Sequence, residues 1–158
     1  AKGEDWGYVG SITRAKPRVW EALLAGGLLP VMAPIAVSED GQIYNVNADQ
    51  AAVACATHWR AESLIFLTDV DGVHGLKGKI VPRLTAEEIP LLLRSGVVTG
   101  GMLAKLHAVE EALAAGIPKI VIRNGHSDGA LEMVWDGTAK GTAPGTVIVS
   151  SLAAAKKI

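Results

Sequence analysis

Residues Ser63 to Val70 read SLIFLTDV. Leu64 to Leu67 form an apolar run with no polar alternation, where a strand with one wet face would alternate. Such a run, bounded by the polar pair Thr68 and Asp69, predicts a strand covered on both faces, as in a parallel sheet lined by helices. The flanking sequence agrees. From Ala48 to about Trp59 the spacing is helical. Ala51, Ala52, Cys55, Ala56 and Trp59 fall on one face, and most of them are small enough to lie close to a sheet. A second helix is expected from about Met102 to Ala115, ended by Gly116, and a second buried strand in PKIVIRNG.

The remaining segments extend the alternation. PRVWEALLAGG, from Pro17, has helical spacing and a glycine stop. LLPVMAPIAV, from Leu28, reads as strand, with prolines marking its edges. SEDGQIYNVN carries a hairpin turn at Asp40-Gly41. GVHGLKGKI is a glycine-punctuated loop suited to another hairpin. LTAEEIPLLLRSG is expected to be a helix capped by Thr85, with Glu88 three residues on as a capping box. SDGALEMVWDG and GTVIVS are expected to form a last helix and a last strand, and the tail LAAAKKI a frayed end. Helices alternating with buried strands define an α/β layered sheet.

Composition narrows the functional classes. The 158 residues are 49% apolar, enough for a core, with a formal net charge of −1. That balance lacks the basic footprint of a nucleic-acid binder or of an anionic-membrane binder. The one cysteine, Cys55, excludes an internal disulfide framework and fits a reducing cytoplasm. The longest uncharged stretch, from Ala22, is broken by two glycines and two prolines, so no membrane span is expected. The first ten residues have no signal-peptide pattern, contain no initiator methionine, and hold no helix or strong strand.

In open α/β sheets, ligands bind where strands hand over to helices. Four such junctions carry unusual residues. In NVNAD, capping accounts for Asn47 and the helix dipole for Asp49, which leaves Asn45 without a role. In VVTGGMLAK, two glycines open a helix whose free N–H groups favour anions. Lys105 lies about one turn inside that helix, unfavourably placed against the dipole unless a phosphate sits between; a solvated side chain is the alternative. TDVDG resembles the start of a calcium loop but fails as one. Its glycine comes too early, and Ile80 stands where the bidentate glutamate belongs. RNGHSD holds His126 beside a helix cap. Cys55 and His58 lack further ligands for a metal site, and no Gly-x-Ser-x-Gly elbow is present.

Taken together, GYVGSI, GLLPVMAPIAVSEDGQIYNVNADQAA, LIFLTDVDGV, RLTAEEIPLLLRSGVVTGGMLAKLHAVEEALAAGI and GTVI resemble, in order and approximate spacing, the acetylglutamate kinases of the amino acid kinase superfamily. The resemblance implies a three-layer αβα sandwich with an open, mainly parallel sheet, truncated at its N-terminal side. It implies one domain over residues 1–158, the ATP-binding portion of that fold, with a substrate-site hairpin near residues 34–49. The reaction implied is transfer of the ATP γ-phosphoryl group to the side-chain carboxylate of N-acetyl-L-glutamate, in arginine biosynthesis. Related acceptors such as N-acetylaminoadipate, or a non-catalytic nucleotide- or effector-binding module, are the alternatives.

By the same resemblance, Lys105 stabilises the transferring phosphoryl group and Asp49 orients it, while Asn45 and Asn47 lie on the substrate side. Thr68, Asp69, Val70, Asp71, Gly72, Val73 and His74, with Val97, Val98, Thr99, Gly100, Gly101 and Met102, border the nucleotide. Mg2+ arrives with the ATP, with no metal ligand assigned in the chain, and the full-length protein is implied to be a cytoplasmic homo-oligomer. The lysine-bearing first strand, glycine-rich turn and substrate-gripping arginine of such kinases have no counterpart here. TAKGTAPGTVIV is longer than the usual Gly-Thr ending.

Overall fold

The computed structural model describes residues 7–128, 130 and 145–151. It divides into two compact units, Ala1–Arg60 and Ala61–Ile158.

The first unit holds a three-stranded sheet. Strand β3 (Ile43–Val46) lies in its centre, parallel to β1 (Val9–Gly10) and antiparallel to β2 (Ile35–Val37). The expected hairpin turn joins β2 to β3. Gly41 takes φ +88° there, a left-handed conformation open to glycine, and Ser38 N–H donates to Gln42 O at 2.9 Å. The Ser38 hydroxyl donates to the Asp40 carboxylate and, with the Gln42 backbone, holds that carboxyl below its ordinary value.

The strand expected from Leu28 forms only at Ile35. Pro30 and Pro34 offer no N–H to a ladder, and β3 reaches back only as far as the Pro34 carbonyl, which accepts from Val46 N–H at 2.9 Å. Leu29 and Val31 are 82% and 89% exposed. Helix α1 (Pro17–Ala25) ends at Gly26, and helix α2 (Ala48–Trp59) ends at Arg60, whose φ of +52° makes a left-handed cap. The rings of Trp20 and Trp59 meet at 5.0 Å between centroids, tying α1 to the end of α2. On α2, Ala51, Val53 and Ala56 are buried, whereas Ala52, Cys55 and Trp59 of the expected face are half-buried.

The second unit is built on a four-stranded mixed sheet in the order β4 (Leu64–Thr68), β6 (Lys119–Asn124), β7 (Gly145–Val149), β5 (Arg83–Thr85). The β4–β6 and β5–β7 pairings are parallel and β6–β7 is antiparallel. Helix α4 (Gly100–Ala114) packs against helix α3 (Ile89–Arg94) and β6. The core is formed by Phe66, Leu106, Val109, Ile120, Ile122 and Ile148.

Strand β6 is buried from Ile120 through Arg123, the pattern of a strand covered on both faces. Strand β4 departs from that expectation. Leu64 and Phe66 are buried, Ile65 is half-buried and Leu67 is 46% exposed, because β4 is an edge strand of its sheet.

The helix expected from Thr85 also starts later. Thr85 ends β5, and α3 opens at Ile89, which places Pro90 in the first helical turn, where its missing N–H costs no helical hydrogen bond. The Glu88 carboxylate still accepts from the Thr85 N–H at 2.7 Å and hydroxyl at 3.0 Å. Half of the capping-box interaction therefore survives as a strand-to-helix tie. The helix expected in SDGALEMVWDG and the tail LAAAKKI fall almost entirely outside the described residues.

Candidate functional site

At the β3–α2 junction, Asn45 sits mid-strand, its backbone N–H donating to Tyr8 O at 2.8 Å and its side chain on an exposed face of the sheet. Asn47 caps α2. Its Oδ1 accepts from the N–H groups of Asp49 at 3.0 Å and Gln50 at 3.1 Å. Asp49 occupies the first helical turn, half-buried, where the dipole favours a carboxylate. This junction gathers Asn45, Asn47 and Asp49 within a few residues. The cap commits the Asn47 oxygen, while Asn45 takes no part in it.

The loop after β4 is built more firmly than its glycine would suggest. Thr68 Oγ1 donates to the Asp69 carboxylate at 3.1 Å. Gly72 has φ +155°, and a Cβ there would fall 2.8 Å from Thr146 Oγ1 and 3.0 Å from Ile80 Cγ2. The buried Thr146 hydroxyl accepts from Val73 N–H at 2.8 Å and donates to Val81 O at 2.7 Å, so β7 holds both ends of the following hairpin. That hairpin forms as expected. His74 and Ile80 make an antiparallel bridge, and the His74 ring nitrogen Nδ1 lies 3.0 Å from Gly78 O.

At the start of α4, Val97 is exposed, Val98 buried and Met102 half-buried. Thr99 precedes the helix in an extended conformation and makes no side-chain cap. Gly100 adopts φ +57°, and Cβ atoms placed on Gly100 and Gly101 would meet nothing within 4 Å. The helix therefore begins in open space, with no acid in its first turn. Lys105 does not extend as a solvated side chain. It is half-buried, and its ammonium lies 4.9 Å from the centroid of the Phe66 ring on β4. This contact brings the second turn of α4 beside the strand that leads to Thr68.

Two residues of this region were not singled out from sequence. Asn124, at the carboxyl end of β6, pairs in register with Thr68 and donates to Asp71 Oδ1 at 2.9 Å. Thr146 lies in the GTVI segment. The RNGHSD junction drew attention through His126, whereas its structural link to the β4 loop runs through the asparagine. No local signal marked either residue, because their partners lie 53 and 73 residues away in sequence.

Among the described residues, no group of three histidine, cysteine, aspartate or glutamate side chains could hold a metal ion. His58 Nδ1 lies 2.7 Å from Ala54 O of its own helix. Burial pushes the Cys55 thiol up, away from the thiolate form that metals and electrophiles require.

The mixed sheet with helices, its loops gathered at the strand ends beside a glycine-led helix, defines an α/β protein. The chain belongs to the amino acid kinase family, whose sequence signature matches residues 1–124. The acetylglutamate kinase of Solibacter usitatus is 48% identical over 138 residues, covering 87% of this chain and 54% of that protein. That of Gluconacetobacter diazotrophicus is 42% identical over 146 residues, covering 91% and 45%. The chain thus spans about half the length of the curated relatives it matches.

Among solved structures, an N-acetylglutamate synthase from Neisseria gonorrhoeae, complexed with coenzyme A and L-arginine, superposes with a TM-score of 0.83 at 26% identity. The match covers 96% of this chain and 34% of the synthase. A carbamate kinase from Giardia lamblia bound to AMP-PNP gives 0.62 at 20% identity over 85% of this chain and 44% of that one, a likeness of fold alone.

Proposed function

We propose that this chain is the nucleotide-binding portion of an acetylglutamate kinase. The ATP γ-phosphoryl group passes to the side-chain carboxylate of N-acetyl-L-glutamate and gives an acyl phosphate. The observation that carries the reading is the placement of Lys105 on the glycine-led helix α4, over Phe66 of strand β4. A helix N-terminus clear of side-chain bulk admits phosphate oxygens to its N–H groups. An ammonium in the next turn supplies positive charge for the oxygens as the phosphoryl group transfers. Phosphoryl transfer depends on such positioning and charge more than on covalent chemistry, and a carboxylate acceptor is already ionised and requires no general base.

In this reading Asp49 is the orienting carboxylate of the reaction, and Asn45 and Asn47 serve the acceptor. The loop Thr68–His74 and residues Val97–Met102 border the nucleotide. Mg2+ takes few protein ligands and is carried largely by phosphates; bound with ATP, it neutralises their charge. The full-length protein is then a cytoplasmic homo-oligomer of arginine biosynthesis.

Calorimetry on the chain with Mg-ATP tests the reading. Binding is expected, with turnover of N-acetyl-L-glutamate slight, because the chain spans about half of its relatives. Lys105→Ala should weaken Mg-ATP binding at least ~10-fold, beyond the ~0.5–1 kcal/mol that loss of its contact with Phe66 removes from folding. No binding heat with wild-type chain, or equal affinity in Lys105→Ala, overturns the assignment. Assays of N-acetylaminoadipate beside N-acetylglutamate identify the acceptor. A second reading, an effector-binding module without catalysis, is favoured by the superposition on a synthase complexed with L-arginine. Arginine binding without Mg-ATP binding would select it.

A further inference from the structure

We infer that Asn124 is a positioning residue for the nucleotide loop, holding the segment Asp69–Val73 in its binding shape through Asp71. The inference rests on the reading of that loop as the nucleotide border. The loop leaves β4 at Thr68 and has two side-chain tethers, one on each side of Gly72. Downstream, the Thr146 hydroxyl fixes Val73 and Val81 to β7. Upstream, the Asn124 amide donates to Asp71 Oδ1 at 2.9 Å. The same amide accepts through Oδ1 from His126 N–H, also at 2.9 Å. Gly125 N–H donates to Thr68 O at 2.8 Å, so the two parallel strand ends are joined by backbone as well as side chain.

The chemistry requires an amide at residue 124. A carboxylate there would still accept from His126 N–H but would have no hydrogen to donate, and it would place a second negative charge against Asp71. The two polar ends of the asparagine are thus both committed, and its orientation follows from its partners. Without this tether, the exposed Val70 and the half-buried Asp71 would be held to the rest of the sheet only through Thr68, which bonds Asp69, and through the Gly72 side. Gly72 is the residue in this loop with φ between +20° and +160°, so it is a poor place to anchor a loop from one end alone.

The test is Asn124→Asp in the full chain, with the exchanged pair Asp71→Asn/Asn124→Asp as rescue. The exchanged pair restores one donor and one acceptor with the hydrogen bond reversed. Two readouts are taken: hydrogen exchange of the amides from Asp69 to Val73 in the nucleotide-free chain, and the Kd for Mg-ATP. Asn124→Asp is expected to speed that exchange and raise the Kd, each by about tenfold, the scale of one lost hydrogen bond beside a charge. The exchanged pair should recover the exchange rate to within about threefold; the Kd is compared between wild type and Asn124→Asp, because Asp71 itself borders the nucleotide in this reading.

A purely structural role would instead lower the unfolding midpoint in Asn124→Asp while leaving loop exchange and Kd in step with global stability. Unchanged exchange in Asn124→Asp, or a failure of the exchanged pair to recover it, overturns the inference. If loop exchange responds as expected but wild-type chain binds no Mg-ATP, the positioning stands and the nucleotide reading falls.

Discussion

Gly72 shows at the residue scale what a quoted motif conceals. In TDVDG it reads as an ordinary turn glycine. In the fold it sits at φ +155° with Thr146 Oγ1 2.8 Å from where a Cβ would stand. Gly72→Ala therefore combines a backbone conformation that side chains rarely adopt with a collision against a buried hydroxyl that already makes two hydrogen bonds. The expected cost is roughly 2–4 kcal/mol, measured by urea denaturation; a loss below ~1 kcal/mol would show that the loop relaxes freely. Thr146 was legible as part of the GTVI segment, but not as the partner of this glycine. A contact between residues so far apart in sequence leaves no local pattern. Asn124 is the same case, its partner Asp71 being reached only once β4 and β6 lie side by side.

Among elements, helix α2 was the most readable. Its bounds, Ala48–Trp59, agree with the expected ones, and Asn47 caps it as capping chemistry predicts. Asn47→Ala should cost about 1 kcal/mol of stability, seen as a lower thermal midpoint of the chain. A change below ~0.3 kcal/mol would mean that the cap contributes nothing and that the asparagine is retained for another reason. Local rules were less successful where tertiary pairing competes with them. Thr85 and Glu88 make their expected contact, yet Thr85 belongs to strand β5 because its backbone pairs with Val149. Strand β4, read as covered on both faces, alternates instead, since an apolar run records hydrophobicity and not the position of a strand within its sheet.

At the scale of the whole molecule, apolar side chains are unevenly covered. Val9, Leu28, Leu29, Val31, Ile35, Val37 and Ile43 of the first unit are each more than half exposed. An ordinary monomer surface carries scattered apolar residues, not runs of this density. Val31→Lys replaces a side chain that is 89% exposed, so it should alter folding stability by no more than ~0.5 kcal/mol. It should also raise the concentration at which the chain begins to self-associate, followed by sedimentation. A loss of stability beyond ~1.5 kcal/mol would mean that Val31 is packed in solution.

The sequence by itself determined the α/β class, the helix bounds of α2, the hairpin turn at Asp40-Gly41 and the family resemblance that the signature over residues 1–124 bears out. The first three depend on periodicity, capping and turn chemistry, all of which act between near neighbours. Only the tertiary structure decided that Lys105 lies over Phe66, that Thr146 and Asn124 grip the loop between β4 and its hairpin, and that strand β2 begins only at Ile35. Each of those depends on which strand lies beside which. Pairing joins distant segments through backbone hydrogen bonds that nearly every residue can make, so residue identity alone does not encode it.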